Sequence, residues 1–494
     1  MLEKNLTNLS EVIIGSSDPM VTKLISRLKT EGRIVRLAPR LYTTNLTDTA
    51  ERIIRRNLWT VIGGLWPGAR LSYRTAFEYA PHDGHIFLGY KYTRKVTLPG
   101  VIIHFISTSR SLPSDYPFMQ NLGVSSIARA LLENLETDRT QGGVDKCLNA
   151  EAIEERLEAE FSTGGEAALN RLRDEAREIA ARTGHNRAFS RLDRMIGALL
   201  STRPADVLKS SVALARAIGE PYDSCRLELF GILLETLART TFPAYSDANV
   251  SDADYASFAF FESYFSNYIE GTEFELEEAR RLVESGVPLP SRNADSHDIL
   301  GTFAIVSDRR ELSRRAETAD EFLELLRARH RVIMSGRPDA APGMFKTCDN
   351  RAGNTHFVSF DRVRGTLKRG FDMSRAICNP FARAIFMLFL TSEVHPFADG
   401  NGRISRIMMN SELAAAGLAK IIVPTVFRPD YLGALRRLSR DRDPAALINA
   451  MSRLFDFSHW LGNGDFDTLK HRLEASDAFC DDDGRILHFF KPSI

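Results

Sequence analysis

One short segment, "VHPFADGNGRISRIMMN" (394–410), contains most of the residue types that nucleotide chemistry needs. His395 can accept a proton from a hydroxyl group near neutral pH. Asp399 offers a hard oxygen ligand, which suits a Mg²⁺ ion that is held mainly by phosphates and water. Two arginines three residues apart can face the same side of a helix, and paired guanidinium groups favour a polyphosphate. These arginines are Arg403 and Arg406.

The centre of the segment is the tripeptide Gly400, Asn401 and Gly402. Glycine permits backbone conformations that turn successive N–H groups inward, which forms a nest for anions. A strongly apolar helical pattern precedes the segment and a second helical pattern follows it, so the nest is predicted at a helix N-terminus, where phosphate is favoured. The segment therefore predicts attack by a hydroxyl on a Mg²⁺-bound nucleotide phosphate, with metal and cations stabilising the leaving pyrophosphate.

Length and composition describe an ordinary globular chain. The 494 residues are 44% hydrophobic and 26% charged, and they predict two to four domains. Lys plus Arg and Asp plus Glu both number 64, so net charge predicts no nucleic-acid or membrane partner for the chain as a whole. The first residues lack the apolar core of a secretory signal, and the longest apolar run, 384–390, is too short to span a bilayer.

The five cysteines are scattered and form no CxxC pair. They indicate neither a zinc site nor a disulfide framework, and they favour a reducing cytoplasm. A Walker A loop is excluded, because no Gly-Lys-Ser/Thr sequence follows the glycines of the segment.

Apolar spacing divides the chain into patterned stretches. Residues 18–32 predict a helix that ends at a glycine, residues 33–44 predict a small hairpin, and three short strands are predicted near residues 85–107. Residues 125–200 are helical in pattern, and so are residues 209–460 apart from a loop or hairpin at 343–360 and a proline-containing stretch. After Trp460, "RILHFFK" is a possible last strand or helix.

Residues His395 to Arg406 resemble the full signature of Fic-domain proteins, HPFx(D/E)GNGRxxR, at every fixed position. The resemblance implies an adenylyltransferase that transfers AMP from ATP to a Ser, Thr or Tyr hydroxyl of a target protein. It implies that His395 is the general base, Asp399 the Mg²⁺ ligand and Phe397 an inward-packing residue. The implied ligands of the ATP phosphates are Gly400, Asn401, Gly402 and Arg403, with Arg406 on the γ-phosphate.

A second stretch, "FSNYIEGTEFELEEA" (265–279), resembles the inhibitory motif (S/T)xxxE(G/N) of the same family. Its residues are Ser266, Glu270 and Gly271, on a predicted helix at about 255–271. The expected contact is a bidentate pair between the Glu270 carboxylate and Arg406, which would occupy the cation that the γ-phosphate needs. Ser266 lies one helical turn earlier and is expected to help orient Glu270.

Two further stretches resemble parts of the family. Residues 344–360 correspond to the flap, a hairpin that aligns the target segment by main-chain pairing. Tyr431, in "YLGALRRL", lies where the family often has an aromatic residue near the adenine, and packing is an equally good interpretation.

The N-terminal part is locally basic, with nine Lys/Arg and three Asp/Glu among residues 21–60. The stretches "RLAPRLYTT" and "RLSYRTAFEYAP" are similar to the N-terminal part of AbiEi-type antitoxin and regulator proteins. This resemblance covers about the first 135 residues and implies a winged helix that binds DNA. A basic solvated face on a protein-interaction domain is the alternative.

We therefore expect a mainly α fold, with a helical Fic core and a β-hairpin flap behind an α+β winged-helix-like domain and a helical connector. The predicted domains are 1–110 (winged-helix-like), 111–208 (connector), 209–460 (Fic) and 461–494 (tail). The leading hypothesis is an autoinhibited, cytoplasmic adenylyltransferase that uses ATP and Mg²⁺. The alternatives are a DNA-binding or toxin–antitoxin-type regulator whose Fic part senses ATP, chemistry with another donor, and removal of AMP. The sequence leaves the target protein, the oligomeric state and the release signal open.

Overall fold

A computed structural model describes residues 10–108, 111–136, 143–482 and 484–489 of the chain. The chain folds as two compact units that divide between Gly219 and Glu220. Twenty α-helices and eleven short strands occur in the described residues, which confirms the mainly α prediction. The finer division into four domains stays a prediction.

The first unit combines two sheets with helices. Its elements are β1 (Val12–Ile14), α1 (Pro19–Thr30), β2 (Val35–Ala38), β3 (Leu41–Thr43), α2 (Ala50–Arg56), α3 (Leu58–Leu65), β4 (Arg70–Leu71), α4 (Thr75–Glu78), β5 (His85–Tyr90), β6 (Arg94–Leu98), β7 (Val101–Ser107), β8 (Tyr116–Phe118), β9 (Leu122–Val124), α5 (Ile127–Asn134), α6 (Ala150–Thr183), α7 (Asn186–Leu199) and α8 (Ser211–Ala217).

The second unit is almost wholly helical. Its elements are α9 (Ser224–Arg239), α10 (Asp252–Ile269), α11 (Leu276–Ser285), α12 (Asn293–Val306), α13 (Arg309–Leu312), α14 (Ala319–Ile333), β10 (Arg351–Ala352), β11 (Thr355–His356), α15 (Val363–Ser374), α16 (Pro380–Val394), α17 (Asn401–Ala415), α18 (Arg428–Asp441), α19 (Pro444–Leu461) and α20 (Phe466–Ala475).

The N-terminal helix and hairpin form as predicted. Asp18 caps α1 by accepting a hydrogen bond from the Met20 N–H, and Pro19 fits the first helical position, where no N–H is needed. Strands β2 and β3 pair antiparallel, and β1 joins them in the order β1-β3-β2. One helix precedes the hairpin in residues 10–43, and the winged-helix resemblance stays a prediction.

The predicted strands near residues 85–107 belong to a six-stranded sheet with the order β6-β7-β5-β4-β9-β8. Strand β5 pairs parallel with β7, whereas β6 and β7 form an antiparallel hairpin. Within the helical pattern of residues 125–200, α6 is interrupted at Gly165, where the backbone leaves the helical region with φ 64° and ψ −163°.

The second unit is organised around α16, whose apolar sequence is buried on nearly all sides, as predicted. Helix α17 packs beside it, and together they carry the His395 segment at their junction. The expected hairpin is the two-residue pairing of β10 with β11. In the tail, α20 was not anticipated, and the strand or helix expected from "RILHFFK" is wrong over residues 485–489, which form neither; its last two residues lie outside the described part.

No described helix combines the length and the hydropathy that crossing a bilayer requires.

Candidate active site

His395 lies directly after α16, with backbone angles φ 50° and ψ 59° in the left-handed region. Its N–H donates to the Thr391 carbonyl (3.1 Å), which closes the helix, and Pro396 prevents the helix from continuing. The imidazole ring stacks on Phe357 of the flap, with ring centroids 3.8 Å apart and planes 5° apart. The ring is therefore held between a helix end and an aromatic face.

The protonation of His395 follows from two contacts. Its Nδ1 lies 3.3 Å from the Ser392 carbonyl oxygen, an acceptor, so we assign the proton to Nδ1. Burial lowers the pKa of His395 to about 4, helped by the charge of Lys346. The neutral imidazole keeps Nε2 unprotonated, as a general base requires.

The loop after His395 is held by side chains rather than left open. Gly400 has φ 75° and is the N-cap residue before α17. The Asn401 side chain accepts from the Phe397 N–H and donates to the Phe397 carbonyl, both at 2.9 Å. These contacts use both the oxygen and the nitrogen of the Asn401 amide to hold the loop, and its backbone N–H lies at the start of α17.

His330 fixes the same loop from α14. Its Nδ1 accepts from the Gly343 N–H (2.9 Å), so Nε2 carries the proton and donates to the Asp399 carbonyl (3.0 Å). Its ring stacks on Phe397 with centroids 3.6 Å apart. Phe397 is fully buried, which confirms the expectation that it packs inward.

The two arginines of the motif have different partners. Arg403 is buried and pairs with Asp298, its Nη1 lying 2.9 Å from Oδ2. Arg406 donates from Nε to the Ser266 hydroxyl (3.0 Å) and from Nη2 to the Ser266 carbonyl (2.7 Å). The Tyr431 hydroxyl lies beside Arg406.

Glu270 reaches the same arginine. Its Oε1 accepts from Arg406 Nη2 at 2.9 Å, a single contact rather than the bidentate pair we expected, while Arg406 Nε donates to the Ser266 hydroxyl. A Cβ built on Gly402 would lie 2.0 Å from Glu270 Oε1, so the carboxylate fills the space that this glycine leaves. Glu270 follows α10, and Gly271 turns the chain away with φ 87°.

A cavity of about 380 Å³ brings several of these groups together. Of the residues predicted for the site, those that line it are His395, Gly402, Arg406, Glu270 and Tyr431. The remaining predicted residues lie in the supporting loops and helices rather than in this wall, and they are Asp399, Gly400, Asn401, Arg403, Ser266 and Gly271. Tyr431 is 1% exposed. It therefore packs against Arg406 and also forms part of the cavity wall.

Several residues in and behind the cavity wall were missed by sequence reasoning. Phe357, Ser405 and Glu393 line the cavity. Asp298 and His330 hold the motif from other helices, and only the fold brings them there. Phe357 had one available signal, its place at the end of the expected hairpin.

Asp399 can serve as a magnesium ligand. Its carboxylate is 58% exposed, with Oδ1 accepting from the Gly400 N–H (2.7 Å) and Oδ2 lying 3.9 Å from Arg403 Nη2. No cluster of three metal-binding side chains occurs in the described residues. A single carboxylate beside a phosphate nest still fits Mg²⁺, which keeps most of its shell from phosphates and water.

Residues 321–413, from α14 to α17, match the family model "Fic/DOC family". The chain therefore carries a Fic/DOC-family domain, which confirms the family prediction made from the His395–Arg406 motif. Outside this domain, the AbiEi-type resemblance stays a prediction.

Curated relatives carry the same family name. Protein adenylyltransferase fic-1 of Caenorhabditis elegans is 28% identical over 176 residues, 34% of this chain and 34% of that protein. Protein adenylyltransferase Fic of Drosophila willistoni is 28% identical over 216 residues, 40% of this chain and 41% of that protein. The matched part thus spans well under half the length of these relatives.

Among solved structures, a fragment of Fic-1 from C. elegans is similar over 66% of this chain and 98% of that chain, with 16% identity and a TM-score of 0.36. A likeness at this level adds nothing to the family match.

Proposed function

We propose that this protein is an autoinhibited protein adenylyltransferase, which transfers AMP from ATP to a Ser, Thr or Tyr hydroxyl of a target protein. The observation that carries the proposal is one cavity lined by the His395 imidazole, the first turn of α17 at Gly402, and the Arg406 guanidinium. A neutral base, helix N–H groups and a cation are what hydroxyl attack on a nucleotide requires.

The proposed reaction is a substitution at the α-phosphorus of ATP. The target hydroxyl loses its proton to His395 Nε2 while its oxygen forms the new bond to phosphorus. The bond between the α-phosphorus and the bridging oxygen to the β-phosphate breaks, and pyrophosphate leaves. The stack on Phe357 and the contact to the Ser392 carbonyl keep the imidazole in one orientation during this transfer.

The α17 N-terminus supplies the anion site in this proposal. In this proposal the backbone N–H groups at Asn401 and Gly402 face the α- and β-phosphates, Gly400 shapes the turn before them while its own N–H donates to Asp399, and Arg406 pairs with the γ-phosphate. Arg403 adds positive charge behind the loop. Asp399 would hold Mg²⁺, which would supply positive charge to the leaving pyrophosphate.

Glu270 blocks this site in the proposed resting state. Its carboxylate pairs with Arg406 and fills the space beside Gly402, and Ser266 holds the same guanidinium. A γ-phosphate cannot share those donors, so ATP binding requires Glu270 to leave. Gly271, with its positive φ, gives the chain a turn at which α10 ends.

The proposal is tested by incubating the purified full-length protein, a lysate and labelled ATP with Mg²⁺. We expect Glu270→Gly to increase protein labelling at least tenfold, because the γ-phosphate site is opened. His395→Ala in that background should reduce labelling at least about 100-fold, the usual contribution of a general base. Glu273→Gly, an exposed acid three residues further on, is the matched control and should resemble the wild type. Equal labelling by all four proteins would refute the mechanism.

The protein target and the cytoplasmic location are parts of the same proposal. The matched relatives are named protein adenylyltransferases, which supports a protein as acceptor. Mass spectrometry of cells that express the Glu270→Gly variant would identify the modified protein and residue. The absence of AMP-modified peptides from such cells, with an active purified enzyme, would point to a target in another compartment.

A second candidate function is DNA binding by the first unit. Helix α1 exposes Lys23 and Lys29, and the β2–β3 hairpin exposes Arg36 and Arg40. We expect a duplex from the protein's own promoter to bind in a salt-dependent way, and Lys23→Glu/Lys29→Glu to weaken binding at least tenfold. Lys91→Glu, elsewhere on the same unit, is the control. If DNA binding changed neither with salt concentration nor with the double variant, that result would favour a protein partner for this basic face.

A further inference from the structure

We propose that Glu393 selects the nucleotide base by accepting a hydrogen bond from the exocyclic amino group of adenine. This deepens the proposed adenylyltransferase function and rests on it. Glu393 lies on the last turn of α16, two residues before His395, and it lines the cavity although it is only 4% exposed. A buried carboxylate in a ligand cavity needs partners for both oxygens.

The Glu393 carboxylate has one satisfied oxygen and one open oxygen. Oε1 forms an ion pair with Arg226 Nη1 at 2.6 Å and accepts a hydrogen bond from the Ser439 hydroxyl at 3.0 Å. Oε2 has no hydrogen-bond partner among the described residues. It is also not among the solvent-inaccessible polar atoms that lack a partner. Oε2 is therefore an acceptor that is reachable from the cavity.

The carboxylate is also fixed in place. Arg226 extends from α9 and donates from Nη2 to the His356 carbonyl of the flap (2.6 Å). Ser439 approaches from α18. Because these two groups hold Glu393, its open oxygen keeps a constant position. A fixed acceptor favours selective recognition of one base.

The position along α18 separates this end of the cavity from the phosphate end. Tyr431 contacts Arg406 at one end, and Ser439 contacts Glu393 eight residues later, about 12 Å along the helix at 1.5 Å per residue. Leu432 and Leu435 line the cavity between them. A planar base fits against this apolar wall, with its polar edge at Glu393.

One open oxygen suits adenine better than guanine. Adenine presents a single amino group, whereas guanine presents two neighbouring N–H donors that would engage both oxygens of a carboxylate. Oε1 is already occupied by Arg226 and Ser439, so the second guanine donor would lack a partner. Uracil has one N–H donor between two carbonyl oxygens, and the carboxylate repels those oxygens.

The test compares nucleotides on the full-length Glu270→Gly variant by isothermal titration calorimetry with Mg²⁺. ATP should bind about tenfold tighter than purine riboside triphosphate, which lacks only the amino group, because the buried acceptor then loses its partner. Equal affinities would overturn the inference, and GTP binding tighter than ATP would overturn the choice of adenine. This comparison needs no change at Glu393.

A second variant, Glu270→Gly/Glu393→Gln, tests the residue itself. Arg226 and Ser439 are both donors, so the amide of the glutamine must turn its oxygen toward them and its NH₂ toward the cavity. Two donors, this NH₂ and the adenine amino group, then face each other. The preference for ATP over purine riboside triphosphate should fall below about twofold. Glu412→Gln, another buried carboxylate paired with Arg315 and Arg383, is the control and should keep the preference.

The outcomes separate the two proposals. Binding of ATP and purine riboside triphosphate with a preference that survives Glu393→Gln would leave the adenylyltransferase proposal intact and overturn the role of Glu393. Failure of every nucleotide to bind the Glu270→Gly variant would overturn the adenylyltransferase proposal, and the role of Glu393 with it.

Discussion

At the scale of single residues, His395 combines an unusual backbone conformation with a buried, neutral ring. Burial lowers its pKa to about 4, and His330 behind the loop has a pKa lowered to about 4 for the same reason. Both rings are therefore held neutral in the folded protein. Because the unfolded chain takes up protons at a pKa of about 6.5, stability should fall as the pH drops from there toward 4.

The pH profile of the reaction is the first prediction at this scale. A free histidine loses its basic nitrogen below about pH 6.5, whereas His395 should stay unprotonated well below that. In the Glu270→Gly variant, we expect the single-turnover labelling rate to change less than about twofold between about pH 8 and pH 5.5. A rate that halves near pH 6.5 would mean that the ring is solvated when it reacts.

Asp298 gives the second prediction at this scale. Its fully buried carboxylate accepts from Arg337 and Thr272 and pairs with Arg403. Asp298→Asn leaves two buried guanidinium groups short of negative charge, and we expect a loss of about 3 kcal/mol in the free energy of unfolding. Urea denaturation measures it. Asp295→Asn, the half-exposed neighbour that also pairs with Arg337, should cost less than about 1 kcal/mol.

These residues also mark what the sequence could and could not predict. His395, Gly402 and Arg406 were predicted because their chemistry depends on spacing within one short segment. Asp298 and His330 were missed because their partners are far away in the chain, and no local pattern encodes a contact across about 70 or 100 positions.

At the scale of elements, the site depends on helices that approach each other closely. Gly301 of α12 lies against the end of α14, where a Cβ would meet the Val332 carbonyl oxygen at 2.6 Å. The sequence predicted most of these helices from apolar spacing. It missed α20, because packing rather than propensity decides whether so short a helix forms.

Gly301→Ala is the prediction at this scale. The new methyl group meets backbone atoms that cannot turn away, so we expect a loss of about 1–3 kcal/mol in the free energy of unfolding. Gly433→Ala, in α18 with no atom within 4 Å of the new Cβ, is the matched control. The control should gain up to about 1 kcal/mol from helix propensity. Thermal unfolding of both variants decides, and equal shifts would contradict the close-packing argument.

At the scale of the whole molecule, the buried apolar residues form separate cores on either side of Gly219. One large cluster runs from Leu229 to Leu487, and three smaller ones contain only residues before position 220. The length of the chain predicted two to four domains, but the division after residue 219 depends on long-range contacts that length and composition do not contain.

Residues 220–494 expressed alone should therefore fold cooperatively. We expect one sharp thermal transition, because the largest core is complete within this fragment. The Glu270→Gly form of the fragment should bind ATP within about threefold of the full-length Glu270→Gly protein, since every described cavity residue lies in it. A broad transition with no ATP binding would show that the first unit is needed for the fold of the second.

The lack of a side chain at Gly402 limits the ways in which the proposed inhibition by Glu270 can be lost. Under the proposed autoinhibition, the gap that holds the Glu270 carboxylate is also the gap that ATP must enter, so a larger residue at position 402 would displace Glu270 and hinder ATP together. Escape from control must then arise on the blocking helix alone. Under the same proposal, substitutions at Glu270 and Ser266 change inhibition alone, whereas a side chain at position 402 disturbs inhibition and activity alike.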